Sequence, residues 1–149
     1  MSAELIEAIR TDWAWVAINP EAVGAISPFG HLIVRDTEGA FWYLDPELRT
    51  LERIADNEAG LFAHMNDPEV REIWEAHALV ERAHAAIGAP GPGRCYSLSI
   101  AALLAGNYAV DDFWHPPVTE LIGVMGSVER QLRDQGVAEG GAVRLTVKD

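Results

Sequence analysis

The sequence has few cysteines, few basic residues and no long apolar run. Cys95 is the only cysteine among 149 residues, so no disulfide can form within the chain and a reducing, cytoplasmic location is expected. The N-terminal segment contains Glu4 and Glu7 and lacks a cationic start followed by an apolar run, so no secretory signal is predicted. The longest apolar stretches, such as residues 100–105, are far too short to cross a bilayer.

The shortage of basic residues leaves the chain strongly acidic. Asp and Glu total 23 against 11 Lys and Arg, which gives a formal net charge of −12. Most of the excess lies between Asp36 and Glu81, where 12 acidic residues face three arginines. Because this charge repels nucleic acid and anionic membranes at long range, we expect a basic protein as the partner, with no nucleic acid and no membrane bound.

The length and composition are those of one globular domain. Apolar residues make up 49% of the chain and charged residues 23%. A loop rich in glycine and proline at residues 88–93 is a possible subdomain boundary. Since each half alone would have too small a core, we predict a single domain over residues 1–149.

Hydrophobic periodicity predicts an α+β fold in which an antiparallel sheet packs against two main helices. Alternating apolar residues predict strands over residues 31–36, 40–45 and 49–55, with Gly39 in the first hairpin turn. Helical spacing predicts the two main helices near 68–87 and 118–135, the first capped by Asp67. The shorter predicted elements are a helix over 3–9 and strands over 94–100, 112–115 and 142–147. Within the second main helix, Gly123 and Gly126 predict the close approach of a neighbouring element.

The residues that could perform catalysis lack a recognisable arrangement. His77 and His84 can share a helix face, and His64 or Cys95 could complete a zinc site, but no closely spaced ligand pair occurs. A lone cysteine in an apolar strand is more typical of a core position than of a nucleophile. The segment 88–93 is rich in glycine but lacks the Lys and Ser/Thr of a phosphate-binding loop. We therefore predict no catalytic residue, no metal and no cofactor.

Several carboxylates and one tryptophan are candidates for partner binding, because they follow or join predicted strands. Paired carboxylates such as Asp45 and Glu47 could also act as a general acid and base, but among 23 acidic residues such proximity is expected by chance. Trp114, next to acidic residues and prolines, is the best candidate for an exposed aromatic anchor, whereas Trp42 and Trp74 are predicted to be core. The predicted partner-binding residues are Asp36, Glu38, Asp45, Glu47, Asp111, Asp112 and Trp114.

The order of motifs resembles that of a known protein family. The motifs are Ser27–Val34, the hairpin through Trp42 and Leu44, Leu51–Ala55, the acidic helix, Pro92–Leu98, Leu103–Tyr108 and Val124–Leu132. This succession, over roughly residues 26–147, resembles the GAD-like plus C-terminal-domain family of type VI secretion immunity proteins, which protect bacteria from DNase effectors.

The resemblance implies an immunity protein that binds a cognate toxin in the cytoplasm and occludes its active site. A nuclease must present a basic cleft to phosphates, so an acidic domain is suited to fill it. The alternatives are a small hydrolase or metal-dependent enzyme that uses Cys95 or the histidines, and a scaffold that binds some other protein.

Overall fold

The central element is a four-stranded antiparallel sheet with the strand order β1-β2-β3-β4. The computed structural model describes residues 2–107 and 109–135. The strands are β1 (Pro20–Ile26), β2 (Leu32–Asp36), β3 (Phe41–Asp45) and β4 (Thr50–Ala55). The predicted meander of β2, β3 and β4 is confirmed, whereas β1 was not predicted.

Strand pairing follows from the alternation of apolar side chains. Leu32 pairs with Leu44 and Ile33 with Tyr43, so successive residues of β2 point to opposite faces of the sheet. Gly39 has a φ of +84° in the turn between β2 and β3. This conformation is unfavourable for most other residues, so the glycine allows the tight hairpin.

Helices cover both faces of the sheet. On one face, Leu32 and Leu44 belong to the main core, to which α1 (Ser2–Asp12) and α6 (Val118–Asp134) also contribute. On the other face, Ile33 and Phe41 form a smaller core with residues of α2 (Glu58–Met65) and α3 (Pro68–Glu75). The fold is therefore α+β, as predicted, and the main core contains residues from both sides of the loop at 88–93.

The prediction of one helix over 68–87 was wrong, because the segment forms two helices. α3 ends at Glu75, and α4 spans His77–Ile87. Between them, Ala76 adopts a left-handed conformation with a φ of +46°. Asp67 caps α3 by accepting a hydrogen bond from the amide of Glu69, as expected. The break changes the direction of the chain at a half-buried alanine, which a sequence pattern does not mark.

The remaining elements are short. β5 (Ser97–Leu98) pairs with β6 (Phe113–Trp114), and α5 (Ile100–Ala105) follows β5. The strand predicted over 94–100 is thus only two residues long, whereas the short strand near 112–115 is confirmed. The predicted strand over 142–147 lies outside the described residues. No helix in the described part of the chain is long and apolar enough to cross a membrane.

Candidate functional site

A groove of about 890 Å³ lies between the turn that joins β3 to β4 and the helices α3 and α4. Its floor is formed by His31, Asp45 and Glu47, and its walls by Leu48 and by residues of the two helices. The lining residues on the helices are Pro68, Arg71, Glu72, Ile73, Glu75, Ala76, His77, Ala78 and Leu79. The left-handed break at Ala76 therefore lies in the wall of the groove.

The floor is a hydrogen-bonded cluster around His31, whose side chain is almost completely buried. The His31 Nδ1 atom lies 2.7 Å from the hydroxyl oxygen of Tyr43. The Nε2 atom lies 3.1 Å from Oε1 of Glu47 and 3.6 Å from Oδ1 of Asp45. An ionised carboxylate can only accept a hydrogen bond, so the Nε2 atom carries a proton. In a neutral ring, Nδ1 then accepts a hydrogen bond from the hydroxyl group of Tyr43.

The turn between β3 and β4 positions the two carboxylates. The Oδ1 atom of Asp45 accepts hydrogen bonds from the backbone amides of Glu47 and Leu48 at 2.9 and 3.1 Å. These bonds close an Asx turn, for which aspartate is well suited. The turn directs Glu47 towards His31 and leaves the side chain of Leu48 exposed.

Burial dominates the electrostatics of the floor. It raises the pKa of Asp45, and the nearby Glu47 acts in the same direction, while His31 and the two backbone amides oppose the rise. Burial and the two carboxylates also raise the pKa of Tyr43, so its hydroxyl group stays protonated and can donate. The negative charge on the floor is thus held in a partly desolvated position, where it costs free energy.

Exposed apolar side chains lie beside these carboxylates. Leu48 is 62% exposed and Ile73 is 58% exposed. A second cavity, of about 270 Å³, shares Leu48, Ile73 and Asp45 with the groove and extends it towards Thr50 and Glu52 of β4. Exposed apolar groups next to charged groups in a concave surface are typical of a binding site.

Two of the predicted partner-binding residues, Asp36 and Asp45, are buried, so the expectation that their carboxylates lie at the surface was wrong. Asp36 accepts hydrogen bonds from the backbone amides of Glu38 and Ala40 and from the indole of Trp42, each at 2.9 Å. Burial opposes its ionisation, but these hydrogen bonds together with the charge of Arg53 lower the pKa of Asp36 below its ordinary value. Its carboxylate therefore holds the hairpin together.

The predicted residues also do not form one surface. Glu38 is exposed in the turn at the opposite end of the β2–β3 hairpin from Glu47, and the whole length of β3 separates the two residues. Asp111 and Asp112 are exposed in the segment before β6, where Asp111 forms an ion pair with Arg82 at 2.6 Å. The seven residues lie in three separate places: Asp36 and Glu38 in the β2–β3 turn, Asp45 and Glu47 at the start of the β3–β4 turn, and Asp111, Asp112 and Trp114 in and before β6.

Trp114 is half-buried in β6, which differs from the expected exposed anchor. Its indole Nε1 atom donates a hydrogen bond to the carbonyl oxygen of Leu98 at 3.2 Å. Because this bond and the strand pairing fix the ring against the domain, less of its surface is available to a partner than an exposed anchor offers.

Sequence reasoning missed three residues of the groove: His31, Leu48 and Ile73. His31 directly precedes the apolar run of β2. A polar residue at the start of a strand can be recognised as part of a buried hydrogen-bond network only when its partners in the fold are known. Leu48 is an apolar residue in a turn that otherwise consists of polar residues and proline, which is a usable signal for an exposed contact. Ile73 lies next to Trp74 in the helix predicted over 68–87, where apolar residues are expected to face the core.

The structure also shows the surroundings of Cys95 and His77, which the sequence offers as candidates for catalysis or metal binding. Burial raises the pKa of the Cys95 thiol to about 12, so it is protonated and a poor nucleophile near neutral pH. His77 is exposed and hydrogen-bonded to Glu75 at 2.9 Å. Among residues 2–107 and 109–135, no group of three or more His, Cys, Asp or Glu side chains is placed to hold a metal ion.

Comparisons with known proteins leave the groove as the main guide to function. No protein-family model matches the chain, and no curated protein matches it significantly. The functional argument therefore depends on the geometry and chemistry of the groove.

Proposed function

We propose that the chain is an immunity protein that binds a basic toxin domain through the groove and blocks the toxin's active site. The observation that carries this proposal is the exposure of Leu48 and Ile73 beside the carboxylates of a preformed groove. In protein interfaces, apolar side chains at the centre supply much of the binding free energy, and a polar rim surrounds them.

The charge of the groove favours a basic partner. Four carboxylates line it, against one arginine, Arg71, whose guanidinium lies 3.9 Å from Glu75. The lining carboxylates are those of Asp45, Glu47, Glu72 and Glu75. Such a surface accelerates association with a basic protein, and this acceleration weakens as salt screens the charges.

The resemblance to type VI immunity proteins supports a nuclease as the toxin. A nuclease binds phosphates and so presents cationic side chains in its active site. An acidic domain that covers those side chains excludes the nucleic acid by charge and by volume. The toxin proposed is therefore one with a basic cleft, encoded beside the gene for this chain.

Binding kinetics with the protein encoded by the adjacent toxin gene test this proposal. Leu48→Ser and Ile73→Ser should each raise the dissociation rate at least about tenfold, equivalent to about 1.4 kcal/mol. Leu104→Ser is the matched control, because Leu104 is exposed on α5 and does not line the groove. If all three variants bind like the wild type, the groove is not the interface. If no neighbouring gene product binds, the immunity function is wrong.

A small hydrolase is the second candidate, and the cluster around His31 favours it. Nε2 of His31 faces two carboxylates at the floor of a cavity, an arrangement that can orient the imidazole so that Nδ1, which bonds the hydroxyl group of Tyr43, acts as a general base. We expect a hydrolase to cleave ester or phosphodiester model substrates in a manner abolished by His31→Gln. A toxin-protection assay in cells separates the functions, because an occluding immunity protein protects in proportion to its binding and needs no turnover.

A further inference from the structure

We propose, on the basis of the proposed function, that the floor of the groove receives an arginine side chain from the toxin. The guanidinium group is placed against Asp45 and Glu47, and its apolar stem lies along Leu48. The proposal narrows the partner from a basic protein to one that projects an arginine into this groove.

The hydrogen bonds of the floor leave acceptors available. Oδ1 of Asp45 accepts from two backbone amides, and Oε1 of Glu47 accepts from Nε2 of His31. Within the described residues, the second oxygen of each carboxylate makes no hydrogen bond. Each of these two oxygens keeps some contact with solvent. Both oxygens are thus open to a donor that enters the groove.

The carboxylates of the floor are also not paired with a lysine or arginine of the described part of the chain. His31 bonds Tyr43 through Nδ1 and Glu47 through Nε2. No Lys or Arg there forms an ion pair with Asp45 or Glu47, since Arg71 is near Glu75 and Arg49 bonds Glu129. A cation that enters the groove therefore gains attraction to two carboxylates, and it relieves their mutual repulsion.

The shape and solvation of the groove favour arginine over lysine. A guanidinium is planar and presents several N–H donors in a fixed fork, which suits two neighbouring carboxylates. It is more weakly hydrated than an ammonium group, so it loses less on entering a partly desolvated floor. Its methylene stem can cover Leu48 and Ile73, which are otherwise exposed to water.

NMR titration of the full chain with N-acetyl-L-arginine amide tests the inference directly. We expect shifts at the backbone amides of residues 45–48 and in the ring of His31. N-acetyl-L-citrulline amide has nearly the same shape without the charge and should produce no shifts there. N-acetyl-L-lysine amide should bind several-fold more weakly, and equal binding of lysine would overturn the assignment to arginine.

Glu47→Gln tests the site because glutamine can still accept from His31 but has no charge. It should weaken binding of the arginine amide at least about tenfold, whereas Glu81→Gln, an exposed change on α4 outside the groove, should have no effect. Unchanged binding by Glu47→Gln, with an unchanged melting curve, overturns the inference. Toxin binding without arginine-amide binding overturns this inference alone, and arginine-amide binding without a toxin partner overturns the proposed function alone.

Discussion

Arg49 and Glu129 connect the turn that forms the groove to α6, through a bond of 3.2 Å between Nε and Oε1. Both side chains are largely buried, and Glu129 also accepts from Arg133 at 3.0 Å. Arg49 has a φ of +58°, a conformation that costs about 1 kcal/mol for a residue other than glycine. The ion pair therefore holds a strained residue directly after Glu47 and Leu48.

Loss of this pair should destabilise the domain. We expect Glu129→Gln to lower the free energy of unfolding by about 1–2 kcal/mol, since it weakens charged hydrogen bonds to both arginines. Arg49→Gly should cost less, because it removes the same bond but also relieves the strained backbone. Urea unfolding measures both effects, with Glu81→Gln as the exposed control. A smaller loss for Glu129→Gln than for Arg49→Gly would contradict this account.

Close packing between α1 and α6 depends on Gly126. A Cβ atom there would lie 2.5 Å from Nε1 of Trp13 and 2.7 Å from the carbonyl oxygen of Asp12. Trp13 is fully buried and donates a hydrogen bond to the carbonyl of Ile122, so it has little freedom to move. We expect Gly126→Ala to cost about 1–3 kcal/mol by overpacking, although alanine favours helix by about 1 kcal/mol.

Gly123→Ala is the matched control for Gly126→Ala. The nearest atom to a Cβ at Gly123 is Oδ2 of Asp12, at 3.0 Å, and this carboxylate is the end of a side chain that can rotate. The unfolding midpoint of Gly123→Ala in urea should therefore be equal to or above that of the wild type. Equal midpoints for the two alanine variants would show that the contact with Trp13 does not limit the packing.

Asp36 should make the hairpin sensitive to acid. Because the pKa of Asp36 is lower in the folded state than in the unfolded chain, its contribution to stability is present above its ordinary pKa of about 4. The contribution is lost as the pH falls through the lowered folded-state pKa. Asp36→Asn should thus lose stability at neutral pH and show a flatter decline below pH 4, as measured by urea unfolding at a series of pH values. An identical pH profile for both proteins would contradict this prediction.

The fold was largely predictable because its strands and helix ends have local signals. The β2–β3 hairpin follows from alternation and Gly39, and the start of α3 follows from Asp67 and Pro68. β1 was missed because it contains Pro20, Gly24 and two alanines, which are poor strand formers, and its pairing with β2 is interrupted by irregularities. The break at Ala76 was missed because no glycine or proline marks it in the sequence.

The site was less predictable because it depends on contacts between distant segments. Acidic residues in turns were expected to be exposed, but Asp36 and Asp45 bond backbone amides of their own turns and are buried. Trp74 was expected in the core but is half-buried, with its ring 5.8 Å from that of Tyr43. Composition shows how many acids a chain has, whereas folding determines which of them face solvent.

We expect the carboxylate of Asp45 to strengthen binding of the partner while it lowers the stability of the fold. Its folded-state pKa is raised, so relative to an uncharged residue it stabilises the fold below its ordinary pKa and loses that contribution as the pH rises through the folded-state pKa. Asparagine keeps an oxygen that can accept from the amides of Glu47 and Leu48. We therefore expect Asp45→Asn to be more stable than the wild type at pH 7, with the difference narrowing as the pH falls towards 4.

The same change should weaken binding of the toxin. Asp45→Asn removes one of the two charges on the floor of the groove, so a guanidinium that enters is attracted by Glu47 alone, and affinity should fall about tenfold or more. Opposite shifts in unfolding midpoint and affinity are characteristic of a functional residue kept at a cost to the fold. Calorimetric binding and urea unfolding on one preparation measure both shifts. If Asp45→Asn is less stable and still binds the toxin fully, the carboxylate is a structural element of the turn and not part of the interface.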